Sequence, residues 1–251
     1  MPTPNALTYN GYIQQIANLA VMGTTTVNGV VQGVDDTFNT MIPSALNYAE
    51  LRIQRDLDLV QLFENNNYTI AANSNTLSIP VTDFVTLQTI QINGIPLLPT
   101  SNEYIQNVYT SALQTGQPEY FAIRGGDNAT YGNTSTVLLF GPTADQTYQV
   151  YVRGTSRLPS LYTYANQAQA GTDTTFISTW LPDLLVQASM IAISQYQRNF
   201  GPASNDPEMP GSYEAQYRNL LLGAQAEEAR KKFSASGWTS YSQPVGATPG
   251  R

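Results

Sequence analysis

Carboxylates, tyrosines, lysines and hydroxyls are the side chains left to do chemistry here, because the 251-residue chain has neither histidine nor cysteine. That double absence removes the disulfide framework, the thiol nucleophile, the Ser-His-Asp triad and the usual zinc ligand sets. Paired carboxylates could still run glycoside hydrolysis. Asp56 and Asp58 lie two apart at a helix end, and Asp35-Asp36 precede a helix. Residues two apart on a helix point different ways, and acids before a helix start are common caps, so both pairs read first as structural. Asn205, Asp206 and Glu208 form the best cluster for a hard cation, but they lack the spacing of a calcium loop and read as solvated loop acids. The stretch from Gly125 to Gly132 follows a strand yet opens no helix and holds no lysine, so it reads as a hairpin loop and not a phosphate cradle. No catalytic residue, metal site or cofactor is expected.

The only two lysines, Lys231 and Lys232, stand with Arg230 at the end of the last helix, just after Glu227 and Glu228. Glu227–Lys231 and Glu228–Lys232 have the spacing of helical ion pairs, and cations complement a helix C-terminus. The competing reading is a basic step before a flexible aromatic tail that docks on an acidic partner or lies near DNA. An acidic chain of net charge −7 with scattered arginines offers no continuous positive groove for DNA. Tyr151, Tyr162 and Tyr164 could anchor a carbohydrate or protein, although packing accounts for most of the 16 tyrosines.

Charge is scarce throughout, at 12% of residues against a typical ~25%. Asn, Gln and Thr make up roughly a quarter of the chain. Residues 1–34 carry no Asp, Glu, Lys or Arg. No apolar run approaches the ~20 residues of a membrane span, and Met1 to Met22 has no basic region of the kind that opens a secretory signal. The sequons at Asn67, Asn128 and Asn133 are what an Asn- and Thr-rich chain produces by chance. A protein made in a cytoplasm is the plain reading.

These residues are positioned by two kinds of element. In Leu7 to Met22, the stripe Tyr12, Ile13, Ile16, Leu19 and Ala20 predicts a helix closed by Gly23, with an uncharged outer face of Asn and Gln. Thr24 to Val34 reads as an extended loop with Asn28-Gly29 as a turn. Pro43 suits the first position of a second helix, with Leu46, Ala49, Ile53 and Leu57 buried and an Arg52–Asp56 surface pair. From Tyr68 to about Gly154 the period becomes two. Asn93-Gly94 marks a hairpin, and Tyr148, Val150 and Val152 share one face against Gln149, Tyr151 and Arg153. Trp180-Leu181-Pro182 opens a third helix, apolar on most sides through Leu184 and Ala188 and stopped by Gly201-Pro202. A last helix runs from Ser212 to about Phe233 with Tyr213, Tyr217, Leu220, Leu221 and Ala224 as its stripe. The expected core of the bundle is Leu46, Ala49, Ile53, Leu57, Trp180, Leu184, Ala188, Tyr217 and Leu220. The fold class is α+β: a helical bundle from residues 1–66 and 159–233, an inserted antiparallel β-domain at 67–158, and a flexible extended tail at 234–251.

Two stretches resemble the head-to-tail adaptor (connector) proteins of tailed phages, especially the short-tailed ones. One is Ile42-Pro43-Ser44 followed by Ala49-Glu50-x-Arg52-Ile53-x-Arg55-Asp56-Leu57. The other is Trp180-Leu181-Pro182-Asp183-Leu184-Leu185, then an apolar helix, a Pro/Asp loop and Tyr213-Glu214-Ala215-Gln216-Tyr217. The resemblance implies a non-enzymatic virion protein, assembled in the host bacterial cytoplasm and sited in the neck between capsid and tail. It implies a homo-oligomeric, twelvefold ring joining the portal protein to the tail nozzle protein, with genomic DNA passing through the channel without specific binding and no membrane partner. Carried onto this chain, it makes Arg230, Lys231, Lys232, Trp238 and Tyr241 portal contacts. Two other functions stay open: a receptor- or glycan-binding module using the Tyr-bearing β-domain, and a carboxylate-based cell-wall hydrolase. A stopper, another neck protein, differs only in its neighbours.

Overall fold

The computed structural model describes residues 6–110, 114–125, 135–166, 168–197 and 209–235. In chain order the elements are α1 (Tyr9–Leu19), β1 (Thr24–Val27), β2 (Val30–Gly33), α2 (Asp36–Asp56), β3 (Phe63–Ile70), β4 (Thr76–Pro80), β5 (Thr86–Ile92), β6 (Ile95–Pro96), β7 (Leu98–Pro99), α3 (Asn102–Val108), β8 (Thr115–Gly116), β9 (Tyr120–Gly125), β10 (Ser135–Gly141), β11 (Thr143–Ala144), β12 (Tyr148–Thr155), α4 (Phe176–Trp180), α5 (Pro182–Gln197) and α6 (Met209–Ala235). They divide into two units: residues 1–60 with 159–251, and residues 61–158. Helical N- and C-terminal parts thus enclose an inserted β-region. The inserted unit starts at residue 61, and β3 runs through the boundary expected at 66/67, because Phe63 to Asn67 pair with β12 despite their polar sequence.

In the helical unit α5 is the central element. Leu184, Leu185, Val186, Ala188, Met190, Ile191 and Ile193 are all buried, and α1, α2, α4 and α6 pack around them. Burying each such aliphatic side chain contributes about 1.5–3 kcal/mol. From α2 the fold buries Leu46, Ala49 and Ile53, with Leu57 just beyond its end; from α6 it buries Tyr217 and Ala224. Tyr12 and Ser189 are matched inside. The Tyr12 hydroxyl donates to Ser189 Oγ at 2.8 Å, and Ser189 Oγ donates to the Leu185 carbonyl at 2.8 Å. Burial pushes the Tyr12 phenol well above its ordinary range.

Several local expectations change. α2 begins at Asp36, not at Pro43, because Asp35 caps it: its Oδ1 accepts from Thr37 N at 3.0 Å. Pro43 therefore sits inside the helix, where it removes one donor to the turn before. α1 ends before Gly23. The Met22 N–H reaches the Ala17 carbonyl and the Val21 N–H reaches that of Asn18, closing the end with a left-handed residue. That residue is Val21, at φ 56° and not the glycine such a position favours. Thr24 to Val34 is a hairpin, not a loop. β1 pairs antiparallel with β2 across Asn28-Gly29, both at positive φ. Asn10 pins it by donating to Gly29 O and accepting from Val31 N, each at 2.9 Å. Asn39 holds the other end through Gly33 N at 2.7 Å and Gly33 O at 2.8 Å.

Two residues expected in the core are outside it. Trp180 is 57% exposed because α4 turns Ile177 and Ser178 inward and stops before Leu181, leaving the indole away from the α5 stripe. Leu220 is 39% exposed because α6 buries a narrow line through Tyr217, Ala224 and Glu228, and Leu220 flanks it. α6 also starts earlier and ends later than expected, running to Ala235, so any tail begins at residue 236.

The β-unit is a sandwich. One four-stranded sheet runs β3–β12–β5–β6 and the other β4–β10–β9–β7, with a small parallel pair β11–β8. Ile70, Ile90, Ile92, Val150 and Val152 from the first sheet meet Ile79, Phe121, Leu138 and Phe140 from the second in one buried cluster. β12 alternates as its sequence predicts: Tyr148, Val150 and Val152 are buried while Gln149, Tyr151 and Arg153 are exposed. Asn93-Gly94, both at positive φ, turn β5 into β6. α3, which the sequence pattern did not suggest, starts at a Ser101 cap and covers Ala122 and Leu139 with Ile105.

Candidate partner-binding surface

The two stretches that carry the family resemblance meet in space. Arg52 on α2 donates from Nη2 to Glu214 Oε1 at 2.7 Å and from Nη1 to the Tyr48 hydroxyl at 3.0 Å. Its guanidinium lies 4.3 Å from the centroid of the Tyr217 ring, and the Tyr217 hydroxyl donates to Asp56 Oδ2 at 2.8 Å. Arg218 adds a second bond to Glu214 at 2.9 Å. The hydrogen bond from Arg52 holds the Glu214 carboxyl below its ordinary value. The surface pair expected between Arg52 and Asp56 is present at 3.5 Å, but it is one edge of a larger network that clamps α6 to α2.

Lower on α6 the clamp continues. Gln225 donates to the Asp56 carbonyl at 3.3 Å, and buried Glu228 accepts from Val60 N at 3.2 Å. Lys231 pairs with Glu227 at 2.9 Å and Glu228 at 2.7 Å, while Lys232 reaches Asp58. Burial works against the charged Lys231 ammonium, yet Glu228 and Glu227 outweigh it and hold its pKa above the ordinary value. The expected Glu228–Lys232 pair is thus replaced: Glu228 turns inward to the α2 exit and Lys232 crosses to Asp58. Lys231 and Lys232 have structural partners, and Arg230 is exposed beside them. Trp238 and Tyr241 lie outside the described residues.

Three of the candidate carboxylates, Asp35, Asp56 and Asp58, have structural partners. Asp35 caps α2, Asp36 sits in its first turn, Asp56 serves Tyr217 and Arg52, and Asp58 serves Lys232. The cluster Asn205, Asp206 and Glu208 and the loop from Gly126 to Gly132 lie outside the described residues. Glu50 is a buried acid that the spacing did not single out. It is 3% exposed, and its Oε1 accepts from Leu161 N at 2.7 Å. Burial raises its carboxyl above the ordinary value.

A face of the helical unit is built differently. Gln15, Leu19, Asp183, Val186, Gln187, Gln216, Asn219 and Leu220 line a groove of about 490 Å³ among α1, α5 and α6. It shares Gln15 and Asp183 with a broader depression of about 710 Å³ that adds Gln14, Asn18 and Trp180. Of the eight residues that line the groove, seven end in amides or are apolar, and Asp183 is charged. Gln187 Oε1 is buried there without a hydrogen-bond partner among the described residues. In the β-unit, Tyr104 and Tyr109 pack on Tyr120 at centroid distances of 5.7 and 6.4 Å, and Tyr151 is exposed on the outer face of β12. Tyr162 is exposed and packs edge-on against Tyr9, whereas Tyr164 is half-buried.

The β-unit is inserted in a helical unit whose open face among α1, α5 and α6 is mostly amide and apolar. Comparison with protein families makes the class specific: the SU10 adaptor protein family matches residues 7–241, and the chain belongs to that family. No curated protein matches the chain. The family is one of structural phage adaptors, not of enzymes, so this chain is a virion component that works against other head–tail proteins. Among the described residues no helix is long and apolar enough to cross a membrane.

Proposed function

We propose that this adaptor forms a homo-oligomeric ring, of twelve copies in the manner of the proteins it resembles, joining the portal to the tail nozzle at the neck of the virion. The observation that carries the reading is the face on α1, α4, α5 and α6, where Asp183 is the one charged residue among the amide and apolar side chains that line it. Exposed amides and apolar side chains are inexpensive to desolvate, whereas buried charges are costly unless paired. Trp180, Leu19 and Leu220 supply apolar anchors there, and Gln15, Gln187, Gln216 and Asn219 supply hydrogen bonds. Val21 supports the same reading. It holds a left-handed conformation that costs about 1–2 kcal/mol and is 91% exposed, so its side chain serves no contact inside the described chain and is free to serve one outside it.

The portal contact follows α6. The segment after Ala235, with Trp238 and Tyr241, docks on the portal beside Arg230, while Lys231 and Lys232 brace the helix that presents it. DNA passes through the ring without specific contacts, and the net charge of −7 disfavours its retention. Deleting residues 236–251 tests the contact. The shortened chain is expected to melt within ~1 °C of the full chain, since α6 and its clamp are untouched, and to lose co-sedimentation with portal particles. Undiminished co-sedimentation would remove the tail from the portal contact.

A further inference from the structure

Sheet edges are where two strands of this fold remain open. β3 makes eight consecutive antiparallel pairs with β12 on one side, without a bulge. On its other side residues 64–69 make no backbone hydrogen bond within the described residues. Proteins ordinarily blunt such an edge with lysine, proline, a bulge or a very short strand. The other sandwich edges follow that rule: β6 and β7 have two residues each and contain Pro96 and Pro99, and β4 ends in Pro80. β3 has none of these devices. Its only charge is Glu64, and Asn65, Asn67 and Thr69 are exposed.

β1 is the second open edge. Thr24, Thr25, Thr26 and Val27 are all exposed, carry no charge or proline, and pair only with β2. An isolated two-stranded ribbon is marginal in water. Here it is fixed instead: Val30 and Val31 are buried, Asn10 ties its turn, and Asn39 ties its base. The fold thus presents a rigid outer strand whose alternate N–H and C=O groups point to solvent.

We infer that β1 of one copy adds to the free edge of β3 in a neighbouring copy, extending the β3–β12–β5–β6 sheet across the subunit boundary. This rests on the ring reading above and names a contact within it. A closed ring requires two different, complementary surfaces on each subunit, and an unblunted edge on each of two separate units meets that requirement. Uncharged β1 opposite a strand whose single charge is Glu64 brings no like charges together, and pre-ordering of β1 lowers the entropy lost on pairing.

The absence of native cysteine permits a clean test. Thr25→Cys is combined in turn with Asn65→Cys, Asn67→Cys and Thr69→Cys, all exposed positions, in the full chain. Each preparation, alone and with portal particles, is imaged for rings, then oxidised mildly and run on a non-reducing gel. Rings in which at least one double variant yields a ladder of covalent oligomers, while each single variant stays monomeric, are the expected result. Rings without a ladder, or dimers formed by a single β3 cysteine, overturn the β1–β3 contact and leave the ring standing. No rings under either condition overturns both.

Discussion

Glu50 shows how this chain spends its few charges. Its carboxyl is buried beside Leu161 N, and burial raises its pKa above the ordinary 4.5. The folded chain therefore holds this proton more tightly than the unfolded chain. The stability it contributes is fully present below the unfolded value, falls as pH rises through the interval above it, and is level beyond the folded pKa. Glu50→Gln keeps the Oε1 acceptor and cannot ionise. Its melting temperature should match the parent at acid pH below 4.5 and exceed it at neutral pH. Each unit of raised pKa corresponds to about 1.4 kcal/mol, or about 3–5 °C for a chain of this size. Thermal melts across that interval check the sign. A variant whose deficit below the parent grows as pH rises would show that the fold uses the carboxylate charge.

Helix α6 is tied to α2 by Arg52–Glu214 and Tyr217–Asp56, and to the segment just beyond α2 by Glu228–Val60 N and Lys232–Asp58. A double-mutant cycle on Arg52→Ala and Glu214→Ala is expected to give a coupling energy of about 1–2 kcal/mol, since the pair is charge-assisted and largely shielded. Denaturant unfolding of the four proteins measures it, and additive losses would contradict the clamp. These elements also mark what was legible in sequence. The alternation of β12, the Asn93-Gly94 turn and the buried face of α5 rest on local periods and were readable. The hairpin β1–β2 was not, because its fixing groups are Asn10 and Asn39, side chains on two helices that no local pattern links to it. Trp180 misled for a related reason: its helix ends within one residue of it, so the spacing continued through a break. Arg52 and Glu214 stand 162 residues apart in the sequence, and only the fold shows that they touch.

At the scale of the whole molecule, scarcity of charge acquires a physical meaning. Arg52, Asp56, Glu228 and Lys232 tie α6 to α2 and to the segment just beyond it, while α1, the β1–β2 hairpin and the groove beside α5 present mostly amides, hydroxyls and apolar side chains. Such surfaces suit burial against copies and neighbours, which is the work of an adaptor. The most direct test is electron microscopy of the full-length protein mixed with its portal. The account predicts closed rings of one rotational symmetry seated on portal particles. Monomers that leave the portal bare, with the protein instead retained on a glycan array, would contradict it.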